Sequence, residues 1–174
     1  MTAAQLHLAL NHIPVLGTLL GAVFLAYGLW RGQETVQNVS LGLLVFVGAV
    51  AVAVYLTGEP AEEIIEGAAG VSHDAIEAHE TWGWYAFLAS IVTGLGALAA
   101  LGLEYVRKQL ARQAVRAVLV LVLLTSGVMV YTANLGGKIN HPELRASTTA
   151  VESFSTPESE VGESGGESSE SESE

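Results

Sequence analysis

The sequence predicts an all-α integral membrane protein, an up-down four-helix bundle with a short helical loop on its outer face and a disordered acidic C-terminal tail. Three observations carry that fold class. Ile13 to Trp30, Val39 to Thr57, Trp82 to Leu103 and Ala117 to Tyr131 are apolar stretches free of Asp, Glu, Lys and Arg, and each is close to the roughly 20 residues that cross a hydrocarbon core. Composition agrees, with 51% hydrophobic residues and a mean hydropathy of +0.45. The apolar runs lack the alternation of a barrel strand, and a helix is the other way to satisfy every backbone polar group in lipid.

Two regions follow: residues 1–145 form the transmembrane domain, and residues 146–174 the tail. At the first span, Asn11 or a neighbour is expected to cap the helix, with Pro14 in the first turn, where its missing N–H costs nothing. Between the second and third spans, Pro60 is expected to open a short helix that runs through Glu66, with a break around Gly67 and Gly70. Ser72 then caps a helix continuing into the third span. On it His73, Glu77 and Glu80 share one stripe, and His79 points elsewhere. The fourth span is short unless Arg116 snorkels. The Gly136–Gly137 pair is expected to end it and to let His141 return over the bundle mouth.

The seven cationic residues set the expected orientation. Arg31, Arg107, Lys108, Arg112 and Arg116 fall in the first and third loops, and only Lys138 and Arg145 lie on the other side. Because Lys and Arg in short loops stay in the cytoplasm, this bias puts both termini and the second loop outside a bacterial cytoplasmic membrane. The start of the chain carries no basic n-region, so a cleaved signal peptide is not expected. Of the net charge of −11, the eight Glu of the tail contribute −8. A Ser/Glu/Gly-rich segment of this kind cannot bury enough apolar surface to offset its chain entropy. The acidic surface argues against nucleic acid as a partner, and the apolar spans make the lipid bilayer the expected one.

Inside the spans the polar residues are small. Gly17, Gly21, Gly48, Ser90, Thr93, Gly94, Thr125 and Ser126 suit close helix packing in lipid. No charge sits at mid-membrane, which speaks against a proton relay or a transporter's central site. The chain has no cysteine, so disulfides, covalent haem attachment, thiolate zinc and cysteine-ligated iron–sulfur clusters are excluded.

All five histidines fall on the same predicted side: His7 and His12 before the first span, His73 and His79 before the third, His141 after the fourth. Three readings compete. The first is structural: the imidazoles cap helices and bond the neighbouring glutamates. In the second, a transition-metal ion is held by His7, His12, His79, Glu80 and His141, since neutral imidazole with carboxylate suits zinc, copper or iron. No HExxH or Glu-x-x-His motif supports that set. The third is one b-type haem gripped by two histidines from different helices, with His12, His79 and His141 as the candidate ligands and Met129 as a softer one. The inner half of the bundle has no histidine, so a transmembrane chain of haems is not expected. A single outer haem would exchange electrons with a quinol or another redox partner.

The segments HLALNHIP, TGEPAEE, HE before the third span and LGGKINHPE after the fourth together resemble a widespread family of small bacterial four-helix membrane proteins known as a domain of unknown function. The resemblance covers nearly all of residues 5 to 145 and excludes the tail. By position it touches His7, Asn11, His12, Pro14, Gly58, Pro60, Glu62, Glu63, His79, Glu80, Gly136, Gly137, His141 and Pro142, and it leaves out His73. It implies a fold and a membrane location but no activity. The functional expectation is a redox-associated membrane protein with a histidine-rich outer site. Its rivals are an accessory or scaffold subunit of a larger membrane complex, with structural histidines, and then a metal-dependent membrane hydrolase.

Overall fold

The computed structural model describes residues 2–66 and 70–141. Those residues form five helices: α1 (Ala3–Leu10), α2 (His12–Arg31), α3 (Glu34–Ile65), α4 (His73–Val106) and α5 (Lys108–Asn140). Four helical stretches, Ala3–Arg31, Glu34–Ile65, His73–Glu104 and Lys108–Ile139, are long and apolar enough to cross a bilayer. The protein is therefore a multi-pass helical membrane protein, as its hydropathy predicts. The acidic tail and Pro142 lie outside the described residues.

The first helix starts earlier than the sequence suggests. Thr2 caps it in a capping box with Gln5, the hydroxyl oxygen accepting from the Gln5 N–H at 3.2 Å while the Gln5 side chain accepts from the Thr2 N–H at 3.1 Å. Asn11 makes no side-chain cap bond. Its φ of −62° and ψ of −24° are helical, whereas a capping residue needs extended backbone, so α1 runs into α2 with only a hitch. The helix instead ends in a Schellman turn at the other mouth. Gly32 takes φ +65° there, which glycine adopts without a Cβ penalty, and the Gln33 N–H reaches back to Gly28 O at 2.9 Å.

Two further expectations are corrected. Pro60 opens no separate helix; it lies inside α3, which continues to Ile65. The proline deprives only the Leu56 carbonyl of its usual donor, and it does so near a helix end, where water and headgroups reach the backbone. Likewise Gly136 and Gly137 do not end the last helix, because α5 passes through both to Asn140. Glycine supplies a C-cap only where the chain turns left-handed, and here the backbone stays helical. The fourth span thereby gains the length it seemed to lack. Ser72 does cap α4, accepting from the Ala75 N–H at 3.3 Å.

The helices form a closed ring in which α2 packs on α3, α3 on α4, α4 on α5, and α5 on α2, while α1 lies against α3. Its centre is filled by Leu25, Leu41, Leu44, Val118 and Val122 with Ala97 and Ala100. Large apolar side chains such as Leu16, Phe24, Phe46, Leu95 and Leu124 face outward. In lipid this costs nothing, because hydrocarbon solvates them as well as a core would. Close approach comes from small residues: a Cβ on Gly48 would stand 3.2 Å from Ser90 O and 3.3 Å from Gly94 Cα, so α3 and α4 cross almost backbone to backbone. Buried hydroxyls are satisfied locally. Thr18, Ser40, Ser90 and Ser126 each donate to a carbonyl one turn back, and Thr93 and Thr125 bond each other across α4 and α5 at 2.8 Å.

The ring has two mouths. One gathers the ends of α2 and α4 with the starts of α3 and α5, and carries Arg31, Arg107, Lys108 and Arg112. There Asn38 donates to Glu104 at 2.8 Å and Gln37 to Gly28 O at 3.0 Å. The other mouth joins the starts of α1 and α4 to the ends of α3 and α5, and it holds the histidines.

Candidate functional site

At the histidine-bearing mouth, two imidazoles are built into the interhelix contacts. His7, on α1, meets α3: its Nδ1 lies 3.0 Å from Val54 O and 3.3 Å from the Thr57 hydroxyl. A carbonyl only accepts, so Nδ1 carries the proton. The Thr57 hydroxyl spends its own hydrogen on Ala53 O and Val54 O, each 2.9 Å away, and its oxygen is left to accept. His79, on α4, meets α5 in the same manner, with Nδ1 donating to Thr132 O at 3.0 Å. The Thr132 hydroxyl in turn donates to Trp82 O at 3.2 Å and to Val128 O at 2.9 Å, tying the same stretch of α4 to the same stretch of α5.

Each ring also rests over a glycine one turn beyond its carbonyl partner. A Cβ on Gly58 would meet His7 Cε1 at 3.7 Å, and one on Gly136 would meet His79 Cε1 at 3.0 Å. The glycines expose the flank of the helix at the height where the imidazole comes in, and the carbonyl beside it has a second lone pair to offer. Both histidines are half-buried, and the two are near enough to feel one another's charge.

This arrangement has a chemical consequence. When Nδ1–H is committed to a backbone carbonyl, the tautomer is set and the lone pair stands on Nε2. That is the orientation a metal-ligating imidazole takes, with the carbonyl fixing the ring and its tautomer.

The other sequence-predicted residues are placed differently. His12 is exposed and bonds back across the α1–α2 junction, Nδ1 to Leu8 O at 2.9 Å, so it is not seated on a neighbouring helix as His7 and His79 are. His141 caps the end of α5 and is exposed. His73 is exposed and faces Glu66 at 3.8 Å. Glu80 is exposed, and its charge is among those felt by Glu62. Met129 is buried in α5. Among the described residues no three of His, Asp and Glu converge as a metal-ion cage. The geometry thus seats His7 and His79 in the same way, each on a main-chain carbonyl of the neighbouring helix at the same mouth.

Sequence reasoning singled out both histidines, Gly58 only as part of a motif, and Gly136 as a motif residue and an expected helix end. It missed Val54 and Thr132 altogether, because what they contribute is a main-chain carbonyl, which leaves no mark on residue type. No family model, curated protein or solved structure matches the chain. The chemistry is therefore argued from the site itself.

Proposed function

We propose that this membrane protein holds one b-type haem at its histidine-bearing mouth, with Nε2 of His7 and of His79 as the ligands, and that it serves membrane-associated redox chemistry. The observation that carries the reading is the matched pair of Nδ1–H bonds to Val54 O and Thr132 O. They leave two neutral imidazoles on different helices, each with a lone pair to give. Two nitrogen donors without a third protein ligand would suit a haem iron better than a tetrahedral or octahedral ion, which wants three or more protein ligands.

Bound there, haem supplies a one-electron couple. The chain's own contribution is to hold both rings by their far nitrogens and to set them among helices at the membrane boundary. A quinol in the bilayer or an external redox partner then serves as the electron source. By the cationic bias, the site faces outward across a bacterial cytoplasmic membrane, since Arg31, Arg107, Lys108 and Arg112 crowd the opposite mouth.

The rival is an accessory subunit whose histidines are struts. It is supported by the same hydrogen bonds, together with the bond of His12 back to the end of α1. Purification in mild detergent separates the two. A Soret band that shifts on reduction with dithionite is the expected result, and alanine at His7 or at His79 should abolish it. A colourless protein with no stoichiometric iron or other metal by elemental analysis would sink the cofactor reading. Sidedness is read separately: a C-terminal tag cleaved by external protease on spheroplasts is expected, and a protected tag would reverse the orientation.

A further inference from the structure

The resemblance between the two histidine seats extends through the whole bundle. Shifting every position of the first helix by the separation of His7 from His79 carries Pro14 onto Ala86, Thr18 onto Ser90, Leu25 onto Ala97 and Gly28 onto Ala100, and all eight are buried. Thr18 and Ser90 make the same bond, each donating to the carbonyl one turn back. Shifting α3 by the separation of Val54 from Thr132 carries Leu44 onto Val122, Val47 onto Thr125, Ala51 onto Met129 and Ala61 onto Ile139, again buried on both sides. The same shift brings Gly58 onto Gly136. Few of these pairs are identical residues, so burial periodicity and contact pattern carry the correspondence.

The topology makes the correspondence geometric. In a ring ordered α2, α3, α4, α5, with neighbours antiparallel, the exchange of α1–α2 with α4 and of α3 with α5 is a half-turn about the bundle axis. Each half is a helical hairpin whose first helix sends one histidine onto the backbone of its second.

We infer that the chain consists of two equivalent hairpins and that His7 and His79 are the matched halves of a single ligand site, one imidazole from each hairpin. The inference rests on the proposed function for the nature of the ligand, a haem iron, and on the fold alone for the equivalence. A ligand held this way depends on both rings to the same degree, and no single histidine acts as the anchor.

Two measurements on the full chain test it. The first is 15N NMR of the haem-free, histidine-labelled protein in detergent, which reads the tautomer of each ring directly, with alanine variants for assignment. Both His7 and His79 are expected in the Nδ1–H form; finding either as Nε2–H overturns the equivalence whatever the protein binds. The second is titration with haemin, followed at the Soret band. His7→Ala and His79→Ala are each expected to lower affinity by the same factor, of at least about tenfold, since even outer-shell partners of a metal ligand cost that much. If one variant keeps full affinity and the other loses it, the matched-halves assignment fails while the haem reading stands. If wild-type protein ignores haemin but both rings show the same Nδ1–H tautomer, the equivalence holds and the haem reading fails. The wild-type spectrum decides the equivalence even where a variant does not fold.

Discussion

Gly136 lies beneath the imidazole of His79, so that a Cβ at that position would stand 3.0 Å from the ring's Cε1 and 3.3 Å from its Nδ1. The equivalent contact between Gly58 and His7 is looser, at 3.7 Å. The same seat is thus built to two tolerances, and the difference is measurable.

Replacing Gly136 by Ala sets two effects against each other. Helix propensity favours alanine by about 1 kcal/mol, but overpacking a rigid ring whose nearby Nδ1 is held by a hydrogen bond costs on the order of 1–3 kcal/mol. The expected net result is a loss of stability, together with a weakened bond between His79 and Thr132. Gly58→Ala meets ordinary van der Waals contact, so it should be neutral or slightly stabilising. Thermal melting of both variants in the same detergent gives the order. A Gly136→Ala protein more stable than Gly58→Ala would contradict the packing described.

His79→Ala and His12→Ala should differ sharply. The first removes a half-buried ring and leaves an interhelix contact unmade, which is expected to cost about 2 kcal/mol. The second removes an exposed ring bonded only to the carbonyl one turn back, and surface changes of that kind stay within about 0.5 kcal/mol. Unfolding by SDS titration would rank them, and equal effects would argue that His79 is not seated between α4 and α5.

At the α3–α4 crossing, backbone meets backbone at Gly48 and Gly94, and neither side can give way. Gly48→Val is expected to destabilise by more than the roughly 1–3 kcal/mol of ordinary overpacking, or to prevent assembly. Gly42→Val, at a position where a Cβ meets nothing within 4 Å, is the control and should be tolerated. Yield of folded protein and melting temperature provide the comparison.

The Thr93–Thr125 hydroxyl pair lends itself to a double-mutant cycle. Valine at each position and at both should reveal a coupling of roughly 0.6 kcal/mol, the usual size for a hydrogen bond between membrane helices. A coupling indistinguishable from zero would mean that the carbonyls of Ala89 and Leu121, which also accept from Thr125, carry the interaction alone.

Much of the fold was legible before any coordinates. The four spans, the Ser72 cap and the separation of His73 from His79 on α4 follow from hydropathy, capping chemistry and helical period. The errors cluster at asparagine, proline and glycine, the residues that favour helix ends. Asn11, Pro60 and Gly136–Gly137 all read as helix boundaries, and the helix runs through each. These residues weaken a helix by at most a few kcal/mol, and tertiary packing along a span that must satisfy its own backbone outweighs that preference. The candidate site was legible only as a set. Five histidines on one side were visible, but the pairing of His7 with His79 was not.

The sequence by itself determined that this is a four-span helical membrane protein with its imidazoles at one boundary, because insertion depends on the summed apolarity of consecutive residues. Only the tertiary structure decided which imidazoles turn inward, and onto what. Those outcomes depend on the rotation of each helix about its axis and on where the carbonyls of Val54 and Thr132 come to lie. No residue type announces a carbonyl, and only the packed bundle brings His7 and His79 to matching ones.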